Sequence, residues 1–502
     1  MKRILFYTFF IICPLLAQAQ VELRTEAQVT GAMGDHNPLW LNANKYGLSS
    51  LKKGNGYVRV GAFRSLDNDS ARNWRWGAGA DVAVAAGFTS TLVVQQAYGE
   101  LQWKLFNLMA GAKELPMTHK NPELSTGSQT FGVNARPIPQ VRLAMDYLSI
   151  PYTRNWVAFR FFGSYGMTTD DGWQKDFTHR ESRYTEKTLF HTKAAFLRIG
   201  PKNITFELGL EMGCQFGGRT LQHDPDRPLI EHNTNLKAFI NALTAQGTDK
   251  TDGEYINSEG NHVGSWVAKL NIDQPTWNLG LYADQFFEDN SMMVHVAYNG
   301  WGEGATAYQK VDKKRYFGYD FKDWLLGAEL KLKEFDWLND IVVEYMYTKY
   351  QGGPVYHDIT NSMGEHITGI DHYYNHHLFT GWQHWGQVIG NPLYQSPLYN
   401  DDRLIEVENN RFVAWHLGLS GDPLDRLHYR LLATWQKGYG TYYRLYPDPR
   451  QSVSLMGEAT YTFSDTSRFS GWHVTGALGL DAGKLRGNNF GVQLTVGKSF
   501  EL

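Results

Sequence analysis

Ile204-Thr205-Phe206-Glu207-Leu208-Gly209-Leu210-Glu211-Met212-Gly213-Cys214-Gln215-Phe216 is the stretch that decides the fold class. Ile204, Phe206, Leu208, Leu210, Met212, Cys214 and Phe216 fall on alternate positions, opposed by polar or very small residues. A period of two is the mark of a strand with one apolar and one polar face. At ~3.3 Å per residue it is long enough to cross a bilayer at the usual strand tilt.

The pattern recurs in the last third of the chain. Leu427, Tyr429, Leu431, Ala433 and Trp435 oppose His428, Arg430, Thr434 and Gln436; Val453, Leu455, Ala459, Tyr461 and Phe463 oppose Ser454, Glu458, Thr460 and Thr462. Trp472, Val474, Leu478 and Leu480 follow, and then Phe490, Val492, Leu494, Val496 and Phe500. A soluble sandwich alternates too, since it buries one face and wets the other. Its strands are shorter, and they seldom begin and end on Trp, Tyr or Phe. Aromatic ends on long strands are the girdle of a transmembrane barrel. Asn489-x-Gly491-x-x-Leu494-x-Val496, with Phe500 near the end, has the form of the terminal strand read by barrel-assembly machinery. Turn clusters at Gly421-Asp422-Pro423, Ser464-Asp465-Thr466-Ser467 and Gly487-Asn488-Asn489 separate the strands. About nineteen candidate strands are present. Single-chain bacterial barrels close with an even number, which brackets the answer between about sixteen and twenty.

The N-terminus names the compartment. Lys2 and Arg3 precede the apolar run Ile4 to Leu16, and Ala17-Gln18-Ala19 offers a small-x-small cleavage site. Residues 1–19 therefore read as a signal peptide, with the mature chain starting at Gln20. The apolar run is shorter than the ~20 residues a spanning helix needs. Residues 20–502 show no break in composition and read as one barrel with insertions at 218–263 and 351–411. Cys214 is the one cysteine left after cleavage, which excludes an intramolecular disulfide and a cysteine-based zinc site. A net charge of −3 gives no electrostatic case for nucleic acid. Aromatic residues make up 14% while the mean hydropathy is −0.42, a combination that suits an apolar outer wall around a polar lumen.

Counting strands back from a periplasmic C-terminus makes 421–426 and 464–471 periplasmic turns and places 438–451 and 351–411 outside. The last stretch holds Tyr356, His357, His366, His372, Tyr373, Tyr374, His376, His377, Trp382, His384, Trp385, Tyr394 and Tyr399. His376, His377 and His384 do not match a metal-ligand spacing, and the chain carries no cofactor motif. Aromatic faces stacking on sugars, with His and Asn serving hydroxyls, fit this composition better. Tyr373, Tyr374, Trp382, His384, Trp385 and Tyr394 are the candidate glycan-contacting residues; for each, packing within a folded loop is the plainer alternative. In the other insertion, Leu236, Phe239, Ile240 and Leu243 stand at helical spacing after Asn235 and before Gly247. Such a helix either plugs one mouth of the barrel or packs on its rim.

Several segments carry a likeness to a known family. They are His36-Asn37-Pro38-Leu39-Trp40-Leu41-Asn42-Ala43-Asn44-Lys45-Tyr46-Gly47, Gln96-Ala97-Tyr98-Gly99-Glu100-Leu101, Gly111-Ala112-Lys113-Glu114, Pro139-Gln140-Val141-Arg142, Leu189-Phe190-His191-Thr192-Lys193, Phe286-Phe287-Glu288-Asp289-Asn290-Ser291, and Gly381-Trp382 to Gly386 running into Ile389-Gly390-Asn391-Pro392-Leu393. In these the chain resembles the Wzi-type capsule assembly proteins of Bacteroidetes-like bacteria. The resemblance implies an all-β, antiparallel outer-membrane barrel of about eighteen strands, with short helical elements closing the periplasmic mouth. It implies a non-enzymatic, lectin-like role in attaching or assembling capsular or other surface polysaccharide, among outer-membrane lipid and lipopolysaccharide. Two other readings stand beside it. Polar-face Glu207, Glu211, Arg430 and Glu458 fit a porin-like or polysaccharide-export channel. A barrel-rim hydrolase is the third, although G-x-S-x-G and H-E-x-x-H are both absent.

Overall fold

The structure is a computed structural model that describes residues 21–222, 228–245, 260–288, 322–354 and 369–501, with short strand pieces at 247–250, 256–258, 300–301 and 310–311. The signal-peptide reading, and Tyr356, His357 and His366, lie outside the described residues. Eighteen strands form one closed antiparallel sheet. They are β1 Glu22–Met33, β2 Gly54–Arg64, β3 Trp74–Ala86, β4 Leu92–Trp103, β5 Phe106–Ala112, β6 Gln140–Ser149, β7 Val157–Met167, β8 Leu189–Ile199 and β9 Ile204–Phe216. The second half comprises β10 Asn261–Asp273, β11 Trp277–Glu288, β12 Trp324–Leu332, β13 Asp340–Tyr347, β14 Phe412–Leu424, β15 Leu427–Gly440, β16 Leu445–Thr462, β17 Trp472–Gly483 and β18 Asn489–Glu501. Each strand pairs with its neighbours in sequence. The barrel closes through β1 and β18, in register from Glu22 opposite Glu501 to Met33 opposite Phe490.

The wall obeys the period of two. Leu208, Leu281, Leu431, Leu455, Leu478, Val492 and Leu494 point outward and are exposed, forming the apolar band that lipid covers. Trp74, Trp103 and Phe106 continue it at one end, with Trp74 and Trp103 5.9 Å apart across the β3–β4 pair. Trp415 beside Tyr345, 4.8 Å away, continues it at the other. A closed barrel with an apolar belt and aromatic girdles is an outer-membrane protein. Connections at the first end are turns no longer than 65–73 and 463–471, whereas the second end carries 34–53, 113–139, 168–188, 217–260 and 348–411. That asymmetry puts the turns in the periplasm and the loops outside.

Several sequence expectations change. Strand β14 runs on to Leu424, so the turn read at 421–426 shrinks to Asp425 and Arg426, with a register shift absorbing Gly421 to Leu424. The outer loop read at 438–451 is mostly ladder, because β15 and β16 keep pairing up to Gly440 opposite Leu445. The expected helix is present as α1, Leu236–Thr244, with the Asn235 side chain accepting from Ala238 N at 3.0 Å. It closes neither mouth. It lies on the outside of the wall at the loop end, where Ala238 and Ala242 pack on Cys214 and Phe216. Tyr165 Oη donates to Phe239 O at 2.7 Å, and Lys193 Nζ donates to the carbonyls of Ala242 and Leu243. Outward-facing polar groups thus find partners in the helix backbone instead of facing lipid, the alternative that burial penalises.

The lumen is filled by coil folded in from the loop end, in three segments: 34–50, 113–139 and 371–411. Inward-facing glycines make the sockets. A Cβ at Gly479 or Gly491 would stand 2.7 Å or 2.8 Å from the Leu41 side chain, and one at Gly213 would meet the Trp382 ring. Segment 119–126 bonds wall after wall. Lys120 Nζ lies 2.6 Å from Asp284 of β11; Asn121 Nδ2 donates to Glu329 of β12 at 3.1 Å and to Asp340 of β13 at 2.7 Å. His119 and Arg160 share Glu207 of β9, and Leu124 O accepts from His416 Nε2 of β14 at 2.7 Å. Glu344 of β13 accepts from Ser125 Oγ (2.5 Å), Thr126 N (2.8 Å), Thr126 Oγ1 (2.6 Å) and Tyr282 Oη (2.6 Å).

Because Trp382 needs the absent Cβ of Gly213, G213V is expected to dislodge segment 371–411 at a cost of about 1–3 kcal/mol. The check is limited trypsin digestion. New cleavage within 371–411 is expected, while the barrel keeps its heat-modifiable mobility on gels.

Candidate functional site

The six aromatic and histidine candidates divide by burial. Tyr373, Tyr374, Trp382 and Tyr394 are fully buried, so none offers a ring face to a sugar. Stretch 371–411 folds into the barrel mouth instead of standing outside it, and these side chains weld it there. Trp382 stacks on Phe190 of β8 at 5.2 Å and donates Nε1 to Thr130 O at 2.8 Å. Tyr374 and Tyr394 lie 4.1 Å apart, ring to ring. Tyr374 Oη donates to Gln129 O and accepts from Asn391 N at 2.9 Å; Tyr394 Oη reaches Gln129 Oε1 at 3.1 Å. Tyr373 Oη donates to Asp323 at 3.0 Å. The plainer loop-packing alternative holds for these four.

His384 is also spoken for. Its Nδ1 donates to Arg136 O at 2.9 Å and its Nε2 accepts from Thr169 N at 3.1 Å. Burial pushes the imidazole down to about 4, so the ring is neutral and both nitrogens are used. His376 and His377 lie against one another, 4.4 Å between rings, apart from His384's partners. Among the described residues no group of three or more His, Cys, Asp or Glu is arranged to hold a metal ion.

Trp385 is different. Gln383–His384 and Gln387–Val388 form a tiny antiparallel hairpin whose tip is Trp385-Gly386. Both tip residues have positive φ, +55° for Trp385 and +78° for Gly386, the combination required by a two-residue turn of the mirror-image type. Asn, Asp and Gly are the residues that suit its first position; a bulky aromatic there costs about 1–2 kcal/mol. Strain of this kind persists only where the surrounding structure holds it in place.

The tip overhangs a cleft of about 390 Å³ among loops 34–53, 87–91 and 168–188, at the outer end of the barrel. Trp385 and His384 form part of its wall, with Trp173, Phe177 and Phe88. Trp173 and Phe177 belong to a short helix, Trp173–Phe177, and stack at 4.9 Å. Buried Gln174 fixes that helix, its Oε1 accepting from Thr185 N at 3.1 Å and from Thr380 Oγ1 at 2.9 Å. Arg136 lies across the Trp385 ring, 4.3 Å from the centroid, and donates to Ser90 Oγ (2.8 Å) and Thr89 Oγ1 (2.9 Å). Asp176 and Lys52 complete the polar lining. Apolar ring faces beside a few placed polar groups make a cleft suited to a small amphipathic ligand. Of the sequence candidates, Trp385 and His384 line this cleft, and His384 has both ring nitrogens engaged. Trp173 and Phe177 were legible as an aromatic pair four apart; Arg136 had no local signal.

A second cavity, about 260 Å³, lies in the lumen toward the periplasm and is lined by Glu26, Lys45, Arg59, Glu114 and Glu458 among others. The charges there pair: Arg59 with Asp81 at 2.5 Å, Arg430 with Glu458 at 2.7 Å.

No family model matches the chain, and no curated protein matches its sequence. Among solved structures the chain is similar to OccD3 of Pseudomonas aeruginosa, at 9% identity and TM-score 0.46, covering 97% of this chain and 92% of that one. It is similar to OprD of the same organism, at 8% identity and TM-score 0.44, covering 97% and 96%. It is also similar to OccAB3 of Acinetobacter baumannii, at 9% identity and TM-score 0.46, covering 97% and 100%.

Asp323, which anchors Tyr373, is pushed up to about 6 by burial, against the hydrogen bonds from Gln351 N and Tyr350 N. Its folded value lies above the unfolded one near ~3.9. The native state therefore holds the extra proton between those values, and stability falls as pH rises through that window. Thermal melts of the wild type are expected to lose stability between about pH 4 and 6 in a component that D323N lacks.

Proposed function

We propose that this barrel is a surface-polysaccharide binding protein, which holds polymer at its outer face and breaks no bond. The cleft under Trp385 carries the reading: a ring is kept in a strained backbone conformation at a hairpin tip, over a mouth walled by Trp173, Phe177 and Phe88. Two features support it. The lumen behind the cleft is packed with protein, and the packing uses buried side chains such as Trp382, Tyr374 and Leu41. Two of the segments in which the chain resembles Wzi-type proteins, 36–47 and 381–393, fold into the mouth, whereas 96–101 and 189–193 belong to the wall. A capsule-attachment role is the family-level form of this proposal, with capsular or other surface polysaccharide as the partner.

A porin-like or polysaccharide-export channel is the second reading. It is favoured by the periplasmic half of the lumen, where Lys45, Arg59, Glu114 and Glu458 line a cavity. The two readings part in a planar bilayer. The binding protein is expected to show no steady ionic conductance, and a stable open state would replace it with the channel. In cells, deletion of the gene is expected to release polysaccharide into the medium while synthesis continues.

W385N separates binding from folding. Asn suits the left-handed tip, so the melting temperature is expected to stay within a few degrees of the wild type, relief of ~1 kcal/mol of strain offsetting the lost Arg136 contact. Affinity for the purified polysaccharide, read by surface plasmon resonance, is expected to fall at least about tenfold.

A further inference from the structure

Arg136 is a buried cation at the aromatic cleft whose hydrogen bonds go to hydroxyls and not to a carboxylate. Its side chain is held at the edge of the aromatic cleft, with the residue only 6% exposed. Several buried or half-buried cations of the barrel mouth and lumen have carboxylates, as Lys120 has Asp284, Arg59 has Asp81 and Lys113 has Glu100; Arg486, away from the cleft, is held instead by the carbonyls of Pro392 and Leu393 and by Gln436. Arg136 has two hydroxyls and an indole face, and its Nε has no hydrogen-bond partner. Burial lowers its pKa to about 10, with no neighbouring acid to hold it up. A buried cation without a counter-charge is unfavourable by itself and is retained where something else supplies the charge.

The surroundings show what that something is. Thr89 and Ser90 each occupy one Nη, and each Nη keeps a second hydrogen. The Trp385 ring centroid lies 4.3 Å from the guanidinium carbon, and Trp173, Phe177 and Phe88 wall the same cleft. Lys52 adds a second cation to the lining, against one carboxylate, that of exposed Asp176. A planar cation presenting spare N–H groups beside ring faces matches a planar carboxylate carried on a pyranose ring, the geometry in which Arg is preferred over Lys.

We infer that the cleft selects carboxylate-bearing sugars, with Arg136 as the carboxylate-binding residue and Trp385 as the ring platform. This rests on the polysaccharide reading above and narrows it to a uronic-acid type of residue in the polymer.

The test uses the full-length barrel in detergent and two forms of one probe, the source strain's own purified surface polysaccharide. One form is native; in the other the carboxyls are reduced to primary alcohols, leaving the sugar rings intact. Native polymer is expected to bind at least tenfold more tightly than the reduced polymer, with affinity falling as salt rises. R136Q is expected to erase that difference by weakening native binding alone, and R136K to restore it only in part. Equal binding of the two forms to the wild type overturns the carboxylate assignment and leaves the polysaccharide reading standing. Failure of both forms to bind overturns that reading and the assignment with it. Should R136Q not yield a heat-modifiable barrel, the wild-type comparison of the two polymers decides alone.

Discussion

The structure hangs on the carboxylates that the inner wall turns into the lumen. Glu344, Asp284, Glu207 and Glu329 are buried in the described structure, and a buried carboxylate is tolerated only where donors surround it. Segment 119–126 supplies those donors. Three of them converge on Glu344, beside the Tyr282 hydroxyl of the wall itself, and Lys120 lies against Asp284. Removal of this segment would strip Asp284 of Lys120 and Glu344 of three of its donors, while Glu207 and Glu329 would keep the wall cations Arg160, Lys269 and Lys331, so the wall and the infolded coil stabilise one another.

The aromatic layer is built on top of that electrostatic one. Asn391 donates to Thr126 Oγ1 and Gly127 O, which joins stretch 371–411 to the segment that neutralises the wall. Tyr374, Tyr394 and Trp382 then close over Gln129 and Thr130. Glycines on the inner face receive the bulk: Gly213 takes Trp382, while Gly479 and Gly491 take Leu41. Seating large side chains against backbone in this way gives close packing without bending the strands. The strained tip of Trp385 is affordable because the hairpin that carries it is rooted in this packed layer.

Function follows from where the layers stop. Below the coil the lumen keeps a charged cavity in which Arg59 and Glu458 have ion-pair partners; above it the loops leave an aromatic cleft beside the Arg136 guanidinium. A diffusion pore needs a continuous polar path, whereas a polymer anchor needs a rigid floor under a contact surface. The cross-lumen bonding provides the floor. The cleft sets the rings of Trp173, Phe177 and Trp385 beside Arg136 and Lys52, and it is on this combination that the proposed sugar binding rests.

Strand identity, the outward and inward faces and the helix at 236–244 were legible in the chain, because each depends on the period of neighbouring residues and on the residue before the first turn. Ile204 to Phe216 announced its lipid face with no outside help. The strand number was bracketed, and closure of β1 on β18 settled it at eighteen. What the chain alone did not disclose is the infolding. Its bonds join Asn391 to Thr126, Trp382 to Thr130 and Trp40 to Thr434, all far apart in sequence. An aromatic-rich loop therefore read as an outer binding surface when most of its rings are core. Burial decides between those fates, and burial is a property of the assembled tertiary structure. Local pattern determined the barrel; only the three-dimensional arrangement decided that its mouth is filled, and that of six candidate contacts four are core while His384 and Trp385 line a cleft.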